Sequence, residues 1–189
     1  MRATGLEFDA VRDAVRGTLR EMFTDRGYHG VHDHDADTVA CDEAVALFFA
    51  PDDTRGRVGI QQLRELCEQW PGRRLVAVAH GGATSYLKSN TASSFEVPVE
   101  VFHARALVRN VTQHVLVPAH EAISHGEALA VLAKYGFGDT AACPKILTTD
   151  PVARYYAWAV GTVVRIGRRN PRENGTVQAC TTYRVVARP

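Results

Sequence analysis

The chain has 189 residues, 46% of them hydrophobic and 23% charged, with a formal net charge of +1. That composition excludes a disordered or collagen-like chain. No apolar run approaches the roughly 20 residues a membrane helix needs, and Met1 to Glu7 lack the apolar centre of a signal peptide, so we expect a soluble protein that stays inside a cell. In chain order, Leu6 to Arg26 reads as a helix with Val11, Val15, Leu19, Met22 and Phe23 on one face, stopped at Gly27. Glu43 to Phe49 is a short apolar strand closed by Pro51-Asp52-Asp53. Ile60, Leu63, Leu66, Cys67 and Trp70 have helical spacing, ended by Pro71-Gly72. Leu75 to Ala79 has the pattern of a buried strand, Gly81-Gly82 turns it towards a short helix over Thr84 to Asn90, and Val97 to Phe102 is a further strand. Strands alternating with helices predict an α/β layer with a partly parallel sheet.

The second half begins between His103 and Val111. Ser124-His125-Gly126-Glu127 has the form of a capping box and opens a helix with Leu129, Leu132 and Ala133 on its inner face, ended by Gly136-Phe137-Gly138. Asp150 is a helix N-cap and Pro151 sits at the first helical position, where its missing N–H costs nothing. Val160 to Ile166 and Val177 to Val186 read as paired strands joined by a turn rich in Arg, Asn, Pro and Gly. Charge divides in the same way as pattern. Met1 to His103 holds 11 basic and 16 acidic residues, whereas Ala104 to Pro189 holds 11 basic and 5 acidic. This asymmetry predicts two domains, 1–105 and 106–189, and makes the first half a poor general trap for nucleic acid.

Several constellations invite a chemical reading. His29, His32 and His34 lie with Asp33, Asp35 and Asp37 in one nine-residue stretch, enough imidazole and carboxylate for zinc or a hydrolytic metal pair. The register fails the H-x-H-x-D-H pattern of binuclear hydrolases, because Ala36 and Asp37 stand where Asp and His are required. A polar loop between a helix and a strand is the plainer reading. Gly81-Gly82-Ala83-Thr84-Ser85 follows a strand but lacks the Lys-Ser/Thr of a P-loop and the third glycine of a dinucleotide fingerprint. His114 and His120 flank the apolar Val115-Leu116-Val117-Pro118, and alternation puts them on a strand and the turn beyond it, in packing and hydrogen-bonding roles. The hydroxyl of Ser124 is engaged as a cap, which removes a nucleophile pair with His125. Cys41, Cys67, Cys143 and Cys180 form no C-x-x-C pair, so we expect reduced thiols and no zinc ribbon.

The string Asp150-Pro151-Val152-Ala153-Arg154-Tyr155, followed by Gly161-Thr162-Val163-Val164-Arg165-Ile166, resembles the C-terminal assembly domain of the fifth subunit of eukaryotic RNA polymerases, a domain shared with the archaeal enzyme. Asn110-Val111-Thr112-Gln113-His114-Val115-Leu116-Val117-Pro118-Ala119-His120, Pro144-Lys145-Ile146 and Tyr183-Arg184-Val185 carry the same resemblance, in family order. In the first half, Met22 to Tyr28, Phe48-Phe49, Val58-Gly59-Ile60 and Leu75 to Val78 resemble the family's N-terminal jaw domain. Archaeal members lack that domain, so the resemblance points to a eukaryotic or large-DNA-virus polymerase. Two departures stand out. Tyr156-Ala157-Trp158-Ala159-Val160 replaces a stretch that usually carries a glycine and basic residues, and the segment from Arg169 to Thr182 is longer than is usual.

The resemblance implies an α/β (α+β) protein with an N-terminal jaw and a small mixed C-terminal assembly domain. It implies a noncatalytic subunit of a DNA-dependent RNA polymerase, with no catalytic residue, metal or cofactor of its own, working in the nucleus or, for a virus, in the virion or viral factory. His114, Pro118, His120, Asp150, Pro151, Arg154, Tyr155, Arg165, Tyr183 and Arg184 would form the interface with the largest subunit and its neighbours. Arginine forks suit interface carboxylates, and Tyr155 and Tyr183 would be aromatic anchors. Gly81, Thr84 and Ser85 fall on the loop that lies near downstream duplex DNA in the family, where hydroxyls and N–H groups contact phosphate without reading sequence. The competing reading is a small metal-dependent hydrolase built on His29, His32, His34 and Asp37.

Overall fold

A computed structural model describes residues 5–49, 57–84, 95–136, 142–171 and 177–189, with side chains left out at 5–8, 49, 169–171, 177 and 178. The chain divides into two compact units, Met1–Asn110 and Val111–Pro189. In the first unit, α1 (Gly5–Asp25) buries Val15, Leu19, Met22 and Phe23. Its end is a Schellman turn. Gly27, at φ 77°, donates to the Thr24 carbonyl, Tyr28 donates to the Phe23 carbonyl, and the Phe23 and Tyr28 rings meet edge-on at 5.6 Å. Glycine belongs there because a Cβ is disfavoured in the left-handed region.

The strands β1 (His32–Asp33), β2 (Thr38–Ala40), β3 (Ala44–Phe49), β5 (Arg74–Ala79) and β7 (Val99–His103) form one sheet in the order β1-β2-β3-β5-β7. β1, β2 and β3 are antiparallel neighbours, while β3, β5 and β7 run parallel. The apolar run Leu75 to Ala79 is buried along its whole length, as expected of a parallel strand covered on both faces. Leu75, Ala77 and Ala79 join Leu63 and Leu66 of α2 (Ile60–Gln69) in one core cluster. The intervening Val76 and Val78 are equally buried on the opposite face. Arg26, at the end of α1, is clamped to Glu100 of β7 by two hydrogen bonds of 2.9 Å.

Two further short strands, β4 (Arg57–Val58) and β6 (Gly82–Ala83), pair in parallel beside this sheet. The turn expected at Pro51-Asp52-Asp53 and most of the helix expected over Thr84 to Asn90 lie outside the described residues.

The second unit is a four-stranded sheet in the order β8-β10-β11-β9, from β8 (Ala119–Ala122), β9 (Lys145–Leu147), β10 (Val163–Pro171) and β11 (Val177–Ala187). β10 and β11 pair antiparallel from Val163↔Val185 to Pro171↔Val177, and β9 joins β11 in parallel. Alternation sends Val163 and Val185 to one face, under Ala128 and Leu132 of α3 (His125–Lys134). Val164, Ile166 and Val186 go to the other, with Ile146, with Ala153 of α4 (Pro151–Tyr156) and with Trp158. The inner face of α3 therefore differs from the one expected. Ala128 and Leu132 are buried and Leu129 is 54% exposed, because the helix docks along its i, i+4 line on the paired ends of β10 and β11. Gly136 stops α3 at φ 71°, and Phe137-Gly138 lie outside the described residues. Cys41 and Cys143 are buried thiols, Cys67 and Cys180 half-buried ones.

Candidate assembly surface and the histidine loop

Asp150 caps α4 as its sequence demands. Its Oδ1 accepts hydrogen bonds from the N–H groups of Val152 at 2.8 Å and Ala153 at 3.4 Å, with Pro151 in the first turn. The other end of α4 has no glycine. Ala157 takes the left-handed conformation at φ 53°, donating to the Arg154 carbonyl while Trp158 donates to that of Ala153. The apolar run Tyr156 to Val160 is thus partly internal. Trp158 stacks on Tyr156 at 4.8 Å and packs on the Ile146 cluster, whereas Val160 is 53% exposed.

Tyr155 departs from its expected role. At 1% exposure it is among the largest fully buried side chains, so in this unit it is a core residue rather than a surface anchor, and its place on α4 holds Arg154 at the half-buried rim. Arg165 is committed internally. It lies opposite Glu121 of β8, bonds that carboxylate at 2.7 Å, and reaches Glu127 of α3 at 2.9 Å. Ser124 caps α3 by accepting from the Glu127 N–H at 3.3 Å, but the Glu127 carboxylate turns to Arg165. Arg184 donates to the Lys145 carbonyl at 3.0 Å and binds β11 to β9. Tyr183 is half-buried on the α3 face, its ring 5.9 Å from that of Tyr135. Arg165 and Tyr183 thus share one face of the sheet, while Arg184 and α4 lie on the other.

The segment before β8 is not a strand. Val111–Gln113 is a 3-10 turn, the His114 N–H donates to the Val111 carbonyl, and the Val117 N–H donates to that of His114. The His114 ring accepts from the Leu116 N–H at 3.2 Å. His120 lies within β8, its ring 2.7 Å from the Pro118 carbonyl. The turn leaves Val115 92% and Leu116 82% exposed. Sequence reasoning assigned these two residues to a strand and so missed them. Their apolar side chains next to Pro118 were the available signal.

In the first unit, the histidine loop makes specific contacts elsewhere. Asp33 sits 3.2 Å from Arg20 and 3.8 Å from Arg16, and Asp37 lies 3.6 Å from Arg12, so three arginines one turn apart on α1 draw the loop down. His29 bonds Glu43 at 3.0 Å, His32 meets the Gly30 carbonyl at 2.7 Å, and His34 stands edge-on to Trp70 at 5.0 Å. Among the described residues no group of three His, Cys, Asp or Glu converges on a point where a metal could sit. The hydrolase reading has no support. In the Gly81–Thr84 segment, the Thr84 N–H is engaged within the fold, donating to the Val58 carbonyl at 3.1 Å. Ser85 lies outside the described residues.

Residues 109–186 match the family model for the RNA polymerase Rpb5 C-terminal domain. Over 150 residues the chain is 34% identical to the DNA-directed RNA polymerases I, II and III subunit RPABC1 of Caenorhabditis briggsae, covering 77% of this chain and 68% of that protein. It is 33% identical to the subunit of the same name from Caenorhabditis elegans, again over 77% and 68% of the two chains. With its counterpart from Dictyostelium discoideum the identity is 32% over 149 residues, covering 76% of this chain and 72% of that one.

Proposed function

Because this chain belongs to the Rpb5 family of DNA-directed RNA polymerase subunits, we propose that it docks through its C-terminal unit on the polymerase's largest subunit and that its N-terminal unit forms the lower jaw beside incoming duplex DNA. The chain is a noncatalytic component of the polymerase, and other polymerase subunits are its partners. Its place of work on this reading is the nucleus, as befits relatives from eukaryotes. Its contribution is positional: one unit fixes the subunit to the enzyme and the other offers a weak, sequence-independent contact through Gly81, Thr84 and Ser85.

The observation that carries the docking half of this reading is the location of the apolar surface. Among the described residues the exposed large hydrophobics are Val115, Leu116, Leu129, Tyr135, Leu147 and Val160, and all six belong to the C-terminal unit. Adjacent apolar side chains left in water, as Val115 and Leu116 are, mark a surface that a partner covers. Val115 and Leu116 are the anchors, with His114, Pro118 and His120 shaping the turn and Arg154 and Arg184 offering guanidinium groups on the α4 face. Asp150, Pro151 and Tyr155 support that face from within, and Arg165 and Tyr183 serve the α3 face.

The test is a tagged chain recovered from its native cells and analysed by mass spectrometry. The two largest polymerase subunits should accompany it, and a Val115→Asp, Leu116→Asp variant should lose them by about tenfold or more while its thermal unfolding is unchanged. Full recovery with that variant would remove the turn from the interface. A photoreactive downstream duplex bound to the assembled polymerase should crosslink to the N-terminal unit, and its failure to do so would end the jaw half of the proposal.

A further inference from the structure

One feature of the N-terminal unit has no part in docking. β5 ends at Ala79, directly opposite His103 at the end of β7, and His80 follows at once. The chain leaves β7 through a 3-10 turn, Ala104–Ala106, that brings Arg105 to the same edge. Together with Val11 of α1 and Val108, these residues line a pocket of about 420 Å³ at the carboxyl ends of two parallel strands, the edge where open α/β sheets receive ligands.

The polar groups lining the pocket are of one kind. His80 and Arg105 are exposed at the rim and His103 lies deeper. The two ring centroids are 6.4 Å apart and their planes tilted by 47°, close enough for both rings to reach one small group at the pocket mouth. The His103 Nδ1 is buried with no hydrogen-bond partner, and a buried ring nitrogen without a partner is costly. None of the described lining residues is acidic. The unit that holds this cluster is otherwise acidic in balance, so the concentration of imidazole and guanidinium is local.

We propose that the His80–His103–Arg105 pocket binds a phosphate group. A tetrahedral oxyanion in the pocket offers acceptors to the two imidazoles and to the guanidinium fork, whose geometry matches phosphate. A divalent metal fits less well, because Arg105 places a fixed positive charge at the rim and a third ligand is lacking among the described lining residues. Burial holds the His103 pKa below its ordinary value, and the nearby Arg105 and His80 lower it further; an anion in the pocket reverses those two charge effects. The phosphate can be a free one or one in a nucleic-acid backbone, and the chemistry is the same.

The experiment follows the imidazole resonances of the full-length chain during titration with inorganic phosphate, with chloride at matched ionic strength as control. His80 and His103 should shift together and saturably, and Arg105→Gln should weaken binding about tenfold, the loss of one charge-assisted hydrogen bond. His80→Gln, a rim substitution, is the second variant and should also weaken it. A short duplex that displaces inorganic phosphate identifies a backbone source, and one that does not identifies a free phosphate. Shifts that never saturate, or that are unchanged in both variants while the fold is intact, overturn the proposal.

Discussion

Ala157 carries a backbone conformation that L residues other than Asn and Asp seldom adopt, at φ 53° and ψ 39°. The left-handed region costs a residue with a Cβ roughly 1 kcal/mol, which glycine avoids. Ala157→Gly should therefore raise the unfolding free energy of the C-terminal unit by about that amount, read as an upward shift of its urea midpoint, and a fall would show that the alanine methyl packs. Tyr155 is the opposite case. Truncating so deeply buried an aromatic costs about 3–5 kcal/mol, so Tyr155→Ala should unfold the unit rather than report on docking, and Arg154→Glu is the cleaner probe of the surface. The His29–Glu43 pair gives a pH signature. The hydrogen bond to Glu43, then its charge, raises the His29 pKa, while the hydrogen bond from His29, then that from its backbone N–H, lowers the Glu43 pKa. A raised histidine pKa stabilises the fold fully below the unfolded value and ceases to do so as pH rises through the folded value. The lowered Glu43 pKa acts above its own unfolded value and is lost as pH falls through the folded one. Unfolding midpoints of the wild-type and His29→Gln chains, measured across pH, should differ most between the unfolded pKa values of Glu43 and His29 and converge above the raised folded value of His29.

At the scale of elements, the Arg26–Glu100 clamp joins the end of α1 to β7 with an Arg side chain only 2% exposed. Removing one partner strands a buried charge, at about 3 kcal/mol. Glu100→Ala, which takes this carboxylate from the buried guanidinium, should lower stability by that order, and Arg26→Ala with Glu100→Ala should recover part of it, as a double-mutant cycle would measure. Nothing local in the sequence announces this clamp, because its partners are 74 positions apart. The helices and long strands were legible for the converse reason. The apolar stripe from Val15 to Phe23, the run Leu75 to Ala79 and the alternation in Val163 to Ile166 each state their burial within a few residues. The Asp150-Pro151 cap was readable as well, since it bonds within its own turn. What escaped was set by tertiary contact. The face that α3 buries depends on where β10 and β11 end, and the Val115–Val117 turn has the composition of a strand but is closed by the His114 carbonyl. The acids of the histidine loop looked like metal ligands until α1 supplied three arginines to meet them.

At the scale of the molecule, the division at residue 110 is, on the proposed reading, also a division of labour. Each unit has its own sheet and its own buried cluster. A fragment of residues 111–189 should therefore co-purify with the large polymerase subunits, and a fragment of residues 1–110 should not. The reverse result would transfer the docking function to the first unit. The two sheets also differ in the order in which their strands are made. In the first, β1, β2, β3, β5 and β7 stand in space as they occur along the chain, so each main strand emerging from the ribosome finds its neighbour already present. In the second, the outer strands β8 and β9 are made before the central pair β10 and β11. They have nothing to pair with until the final hairpin is synthesised. On the proposed reading the docking surface is thus completed last, and a nascent chain stalled before β11 carries the whole first unit and a second that lacks its central hairpin.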